Sequence, residues 1–196
     1  MTTHERGVLP SDSLPKLHLG CGKRFIPGFI HIDAADFPHI DYKFDLKDLS
    51  AFANGSVALI YCSHALEYYD LAEAKEVLRE WYRVLCGGGV LRIAVPDFAA
   101  LVEVYRRYQD MRLIVGPLYG KMEISGKPRQ VVYHRMAYDF FLIKSVLESV
   151  GFRSVRRYDW RQTIHKGYDD YSQAYIPHME KETGLLISLN VECDKP

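Results

Sequence analysis

The chain has 196 residues, enough for one domain with a small elaboration, and its 48% hydrophobic and 26% charged residues make a globular balance. Lysine plus arginine equals aspartate plus glutamate at 25 each, so no global basic field draws in nucleic acid or an anionic membrane. Four cysteines without a CxxC pair, and eight histidines without HxxxH or HExxH spacing, argue against a disulfide framework and against a metal site.

The opening MTTHERGVLPSDSLP lacks the apolar centre of a signal peptide, and no apolar run is long enough to span a bilayer. A reducing, cytoplasmic setting is therefore expected. Residues 1–15 read as a flexible N-terminal arm, and 16–196 as a single domain with insertions at about 109–136 and 162–184.

From Lys16 onward, strand-like and helix-like segments alternate. Leu17–Leu19 is a short strand ending at Gly20, and Phe29–Asp33 is a second that ends in a carboxylate. Asp41–Asp45 reads as a weaker third strand. Ser56–Cys62 is a continuous apolar run, the mark of a strand covered on both faces. The next helix is capped by Asp70 with Glu73 three residues on, a capping-box spacing, and Leu71, Ala74, Val77, Leu78, Trp81, Val84 and Leu85 recur at helical intervals. Gly87, Gly88 and Gly89 are expected to end it, one of them as a left-handed cap. Val90–Val95 is strand, Phe98–Tyr108 and Tyr138–Val150 are helices, and Ser154–Asp159 and Leu185–Cys193 are the last strands. This alternation predicts a mainly parallel sheet with helices on both faces.

Ligands of such sheets bind beyond the carboxyl ends of the strands, at the switch point. The turn Gly20-Cys21-Gly22 and the acid Asp33 fall there, and a carboxylate so placed can accept hydrogen bonds from ribose hydroxyls. A dinucleotide also needs a helix N-terminus for its pyrophosphate, carried by a GxGxxG turn with the acid roughly twenty residues on. Here Phe25 stands at the third glycine, Asp33 follows Gly20 by only 13 residues, and Pro27-Gly28 break any helix between. An NAD-dependent oxidoreductase is disfavoured. An adenosine ligand without phosphates, such as S-adenosylmethionine, does not need the missing helix. Asp45 could then accept from the adenine amino group, with Leu46 against the ring.

The segments LHLGCG, IHIDAAD, KFDLKDL, ALIYCSHALEYYD, EVLREWYRVLCGGGVLRIAVPDF and LLISLNVECDKP together resemble a class I S-adenosylmethionine-dependent methyltransferase. More narrowly they resemble the short-loop methyltransferase-like group associated with cell-surface polysaccharide biosynthesis, in which a Pro-Gly connection leads to the second strand. The resemblance implies a Rossmann-like three-layer α/β/α sandwich. Its seven-stranded, mostly parallel sheet would have the order 3-2-1-4-5-7-6, with the last strand antiparallel. It implies Gly20, Cys21 and Gly22 as the cofactor loop, Asp33 as the ribose acid, and Asp45 with Leu46 as the adenine contact. It also places Cys62, Ser63 and His64 beside the methionine moiety. This chain departs from the group in having Glu67-Tyr68 where Glu-His is usual, and Leu85-Cys86-Gly87-Gly88 where Lys-Pro-Gly-Gly is usual.

Methylating an alcohol requires a base for the departing proton. Three candidates present themselves: His64, just past a buried strand; Asp97, past the next one; and His134, in the long insertion. Each has a blander role, as a packed turn residue, a helix N-cap or a surface histidine. Glu67 reads as a brace at the helix start, and Cys21 as small filler. Arg106, Arg107, Arg153, Arg156, Arg157 and Arg161 read as a solvated face or as a site for an anionic acceptor. The expected function is O-methylation of a sugar or other small metabolite, with no membrane or nucleic-acid partner. The alternative is a methyltransferase-like binding module without efficient catalysis.

Overall fold

The computed structural model describes residues 14–124, 130–178 and 180–196. The expected arm falls mainly on residues 1–13, outside the described residues; at its end, Pro15 already accepts a hydrogen bond from Ala58 N. Six strands form the main sheet: β1 (Lys16–Leu19), β2 (Ile30–Ile32), β3 (Val57–Ser63), β4 (Leu85–Pro96), β7 (Arg153–Arg157) and β10 (Ser188–Asp194). Their order is β2-β1-β3-β4-β10-β7. The first four run parallel, and β10 is antiparallel to both of its neighbours. The helices are α1 (Leu71–Val84), α2 (Phe98–Tyr108), α3 (Arg112–Tyr119) and α4 (Phe140–Val150). No helix among the described residues is long and apolar enough to cross a membrane.

The expected seventh strand does not form among the described residues, and the sheet ends at β2. The segment Asp41–Asp45 contributes one isolated bridge, Ile32 to Tyr42. The cause is local. Asp41 folds its carboxylate back onto the free edge of β2, accepting from His31 N at 2.7 Å, while the N–H groups of Asp41 and Tyr42 both turn to His31 O. Tyr42 N to His31 O and Asp33 N to Tyr42 O are the two bonds of the bridge, and the Asp41 carboxylate takes the His31 N–H that the next pairing of a further strand would use.

Helix α1 starts as expected. Asp70 accepts from the N–H groups of Ala72 and Glu73, and Glu73 reaches back to Asp70 N. Its end differs from expectation. Leu85 is extended rather than left-handed, and the last carbonyls are met by a distant cation: Lys195 Nζ donates to Tyr82 O and Leu85 O, each at 2.7 Å. The three glycines instead form a bulge in β4, where the register against β3 shifts between Val57 and Leu59, and Gly88 has φ +76°.

The two faces of the sheet are covered differently. Ala74, Val77, Leu78, Trp81 and Val84 of α1, with Ile143, Val146 and Leu147 of α4, pack on Leu17, Leu19, Ile60, Cys62, Leu91 and Ile93. Over β1 and β3 the opposite face carries no helix: Ile26 and Phe29 pack there on Leu59 and Tyr61. The three-layer expectation is corrected at this point, because the short Pro27-Gly28 connection has no room for one. Rings fill the space, with His18 stacked on Tyr61 and Tyr61 on His165.

Among the described residues, both expected loops carry secondary structure. The first holds α3 and a hairpin of β5 (Lys121–Ile124) and β6 (Gln130–Tyr133). The second holds 3-10 turns at Trp160–Gln162 and Tyr171–Gln173, and the strand β8 (Tyr175–Ile176), which pairs with β9 (Leu185–Leu186). Helices α2 and α3 bury Leu101, Val104 and Ile114 against Ile176 and Ile187.

Candidate functional site

The turn after β1 and the acid after β2 meet at the parallel ends of the two strands. Gly20 N donates to Ile32 O, which fixes the turn against β2. Gly22 N then donates to Asp33 Oδ2 at 2.8 Å, and Ala35 N to Asp33 Oδ1 at 2.7 Å. Each carboxylate oxygen keeps a lone pair for a further donor. Cys21 is buried between the glycines; burial first, and then the charge of Asp33, push its thiol up to about 12, so it is inert filler at neutral pH.

Two glycines of the turn are held for different reasons. Both have positive φ, +62° at Gly20 and +53° at Gly22. A Cβ on Gly20 would stand 2.6 Å from Ala65 Cβ and 3.3 Å from Leu46 Cδ1, whereas one on Gly22 would meet nothing within 4 Å. Gly22→Ala is therefore expected to cost only the left-handed strain, about 1–2 kcal/mol. Gly20→Ala should cost clearly more, because it also forces Ala65 and Leu46 apart. Chemical denaturation of the two variants tests this; equal losses would refute the packing argument.

Of the expected adenine contacts, Leu46 lies beside the turn at Gly20. Asp45 accepts from Tyr69 Oη at 2.9 Å and from Lys47 N. Leu46 is buried, and its carbonyl accepts from Trp81 Nε1 at 2.8 Å. At the end of β3, Ser63 Oγ is buried and has no hydrogen-bond partner among the described residues.

The candidate bases separate into two groups. Asp97 takes its blander role: it N-caps α2, accepting from Ala99 N and Ala100 N, and its other oxygen receives Arg157 Nη1 at 3.0 Å. His64 and His134 are brought together, and the group between them is Glu67, which the sequence alone presents as a brace. Glu67 Oε1 lies 3.4 Å from His64 Nδ1 and 3.7 Å from His134 Nε2. Burial pushes Glu67 up to about 8 and His64 down to about 3, and it lowers His134 as well. His64 has φ +53°, and its N–H is held by Ala94 O.

The arginines are mostly paired: Arg156 with Glu192 and Asp194, Arg157 with Asp97, Arg106 with Glu103. A cleft of about 240 Å³ is lined by Arg92, Arg157, Tyr158, Asp159, Gln162, Thr163 and Glu192. A second, of about 270 Å³, lies between Phe98, Ala137, Asp139 and Leu142. Neither includes the glycine turn. No group of three His, Cys, Asp or Glu side chains able to hold a metal ion occurs among the described residues.

A family model described as a methyltransferase domain matches residues 21–93, from the glycine turn to the middle of β4. No curated protein matches the chain. Among solved structures, a SAM-dependent methyltransferase from Thermotoga maritima, described as a possible histamine N-methyltransferase, is similar with TM-score 0.58 and 13% identity, covering 96% of this chain and 84% of that one. A SAM-dependent methyltransferase from Archaeoglobus fulgidus gives 0.56 and 14%, covering 93% and 87%. One from Mesorhizobium loti gives 0.51 and 17%, covering 92% and 90%. At these identities the structures show the fold, a Rossmann-like α/β methyltransferase fold with a mostly parallel sheet. With the matched domain, they support a SAM-dependent methyltransferase with S-adenosylmethionine as its cofactor.

Proposed function

We propose that residues 16–196 form one cytoplasmic methyltransferase domain that uses S-adenosylmethionine to methylate an oxygen of a sugar or another small metabolite. The narrower likeness to the polysaccharide-associated group supports the sugar. The observation that carries the reading is the bond from Gly22 N to Asp33, which joins the turn and the acid at the switch point without an intervening helix.

The residues present fit the cofactor. Asp33 retains lone pairs for ribose hydroxyls, Leu46 offers an apolar surface beside Gly20, and Gly22 has open space above it. The Ser63 hydroxyl, without a hydrogen-bond partner among the described residues, is suited to the polar end of the methionine. When bound, S-adenosylmethionine supplies a methyl group on a sulfonium; its C–S bond breaks toward sulfur as an acceptor lone pair forms the new bond. The protein's share is alignment of the partners and removal of the acceptor's proton. We assign that removal to one of the two candidate histidines, His64 or His134, with Glu67 between them as the group that positions both, since Asp97 is already committed to α2 and Arg157.

One set of observations favours the second reading, a binding module. Both ring nitrogens of His64 face protein groups, and Ala65 packs closely on the turn. Turnover decides between the readings: binding without methyl transfer across sugars, nucleotides and small acids would favour the module.

Calorimetry tests the cofactor. S-adenosylhomocysteine should bind at micromolar strength and NAD should not; the reverse ends the proposal. Asp33→Ala should weaken binding of S-adenosylhomocysteine by about 1–3 kcal/mol, the loss expected for hydrogen bonds to a charged acceptor. Unchanged affinity would remove Asp33 from the ribose role.

A further inference from the structure

The hydrogen-bond accounts around Glu67 close in only one way at neutral pH if the two imidazoles are uncharged. Asn190 Nδ2 donates to Ser172 O at 2.8 Å, an oxygen that can only accept. Asn190 Oδ1 therefore takes the Ser188 hydroxyl hydrogen, at 3.0 Å. With that hydrogen used, Ser188 Oγ accepts from His64 Nε2–H, also at 3.0 Å. The basic nitrogen of His64 is then Nδ1, which faces Glu67. His134 Nδ1 lies 3.0 Å from Pro117 O and must donate to it, so its bare nitrogen is Nε2, which faces Glu67 too. Two lone pairs thus point at one oxygen of a carboxyl group that is fully buried and has no hydrogen-bond partner among the described residues. An ionised carboxylate there would be repelled by both.

We propose that Glu67 is a positioning residue: as a carboxylic acid it offers its one proton to the imidazole nitrogens facing it, His64 Nδ1 being the nearer, repels neither, and clamps the insertion carrying α3, β5 and β6 onto the start of α1. The backbone agrees. Glu67 O accepts from Arg135 N and Met136 N, at 2.8 and 3.2 Å, and His134 N donates to Tyr119 O. Gly120 leaves room for the ring and nothing more, since a Cβ there would lie 2.1 Å from His134 Nε2. The guanidinium of Arg135 is turned away, to Asp70 and Glu73. The other titratable groups near the carboxyl are Cys62, Tyr68 and Tyr138, all neutral at physiological pH. A group raised to about 8 from 4.5 stabilises the fold fully below 4.5, and that contribution is lost as pH rises from 4.5 to about 8, so the clamp should loosen across that range. The consequence for turnover rests on reading this insertion as the acceptor's wall; the clamp itself can be read in the chain without ligand.

The experiment is hydrogen exchange at the Arg135 and Met136 amides, corrected for intrinsic rate, in wild type, Glu67→Gln and Glu67→Ala. Glutamine donates hydrogens as the acid does but cannot ionise. The wild type should lose about tenfold in protection for each pH unit between the ordinary carboxyl value of 4.5 and about 8, and level off above that, while Glu67→Gln keeps its protection across that range. Glu67→Ala should be unprotected throughout. Nitrogen-15 spectra should show His64 as the Nε2–H and His134 as the Nδ1–H tautomer. An imidazolium signal at neutral pH, or Glu67→Gln as loose as Glu67→Ala, would overturn the proposal in favour of a charged pair. Failure to bind S-adenosylhomocysteine would overturn the methyltransferase reading and leave these outcomes untouched.

Discussion

Trp81→Ala should destabilise the protein by about 3–5 kcal/mol, the usual cost of emptying a large core site, and a large share of a typical domain's total. Trp81 is completely buried in α1 and faces the sheet with Ala74, Val77 and Leu78. Its indole also does a second job. Nε1 donates to Leu46 O at 2.8 Å, and Leu46 in turn abuts the turn at Gly20. The milder Trp81→Phe keeps most of the volume and removes only the donor. It should cost about 1–3 kcal/mol, the penalty for an orphaned buried carbonyl. Because the orphan adjoins the proposed adenine contact, Trp81→Phe should also weaken S-adenosylhomocysteine binding several-fold. Denaturant unfolding followed by circular dichroism, beside calorimetric titration, reads both effects. A variant that loses stability but binds normally would show that Leu46 is not coupled to the cofactor.

Much of this architecture is legible in the chain because its signals are local. The capping box of α1 spans four residues, Asp70 to Glu73, and the structure forms it in full. Gly20, Gly22 and Asp33 are close in sequence, and elementary strand geometry brings them together. The features that escape a sequence reading depend on groups that act from afar. No local pattern says that Asp41 will turn its side chain onto the edge of β2 and end the sheet there. Nor does any say that Lys195, at the far end of the chain, will cap α1 and release the glycines to make a bulge. Glu67 misleads for the same reason. Its partner His134 lies 67 positions later, so a lone acid before a helix looks like an N-terminal brace. The one available hint is its place between Leu66 and Tyr68, an apolar setting that buries a carboxyl instead of solvating it.

Acid should unfold this protein early, beginning below about pH 6.5 and well before the surface carboxylates are protonated. Burial is the leading cause holding His18 and His64 down to about 3 and His165 to about 4. All three sit below the ordinary value of 6.5, so the unfolded chain binds protons more readily than the fold does. Their stabilisation is complete above 6.5 and is lost as pH falls through 4 toward 3. Every tenfold difference in proton affinity between the folded and unfolded chain corresponds to about 1.4 kcal/mol, so together the three remove on the order of several kcal/mol. Glu67 has the opposite sign and offsets part of the loss, since its contribution grows as pH falls from 8 toward 4.5. For His18 the cause lies on the sheet face that lacks a helix. There its ring lies against Tyr61, Phe29 and His31, and its Nδ1 has no partner among the described residues. His18→Phe keeps a ring in the stack and removes the titration. It should leave stability near pH 7 little changed and move the acid midpoint to lower pH. Circular dichroism across a pH series measures that midpoint. If it is the same in both proteins, His18 does not titrate in this range, and the acid limit is set by the other buried imidazoles.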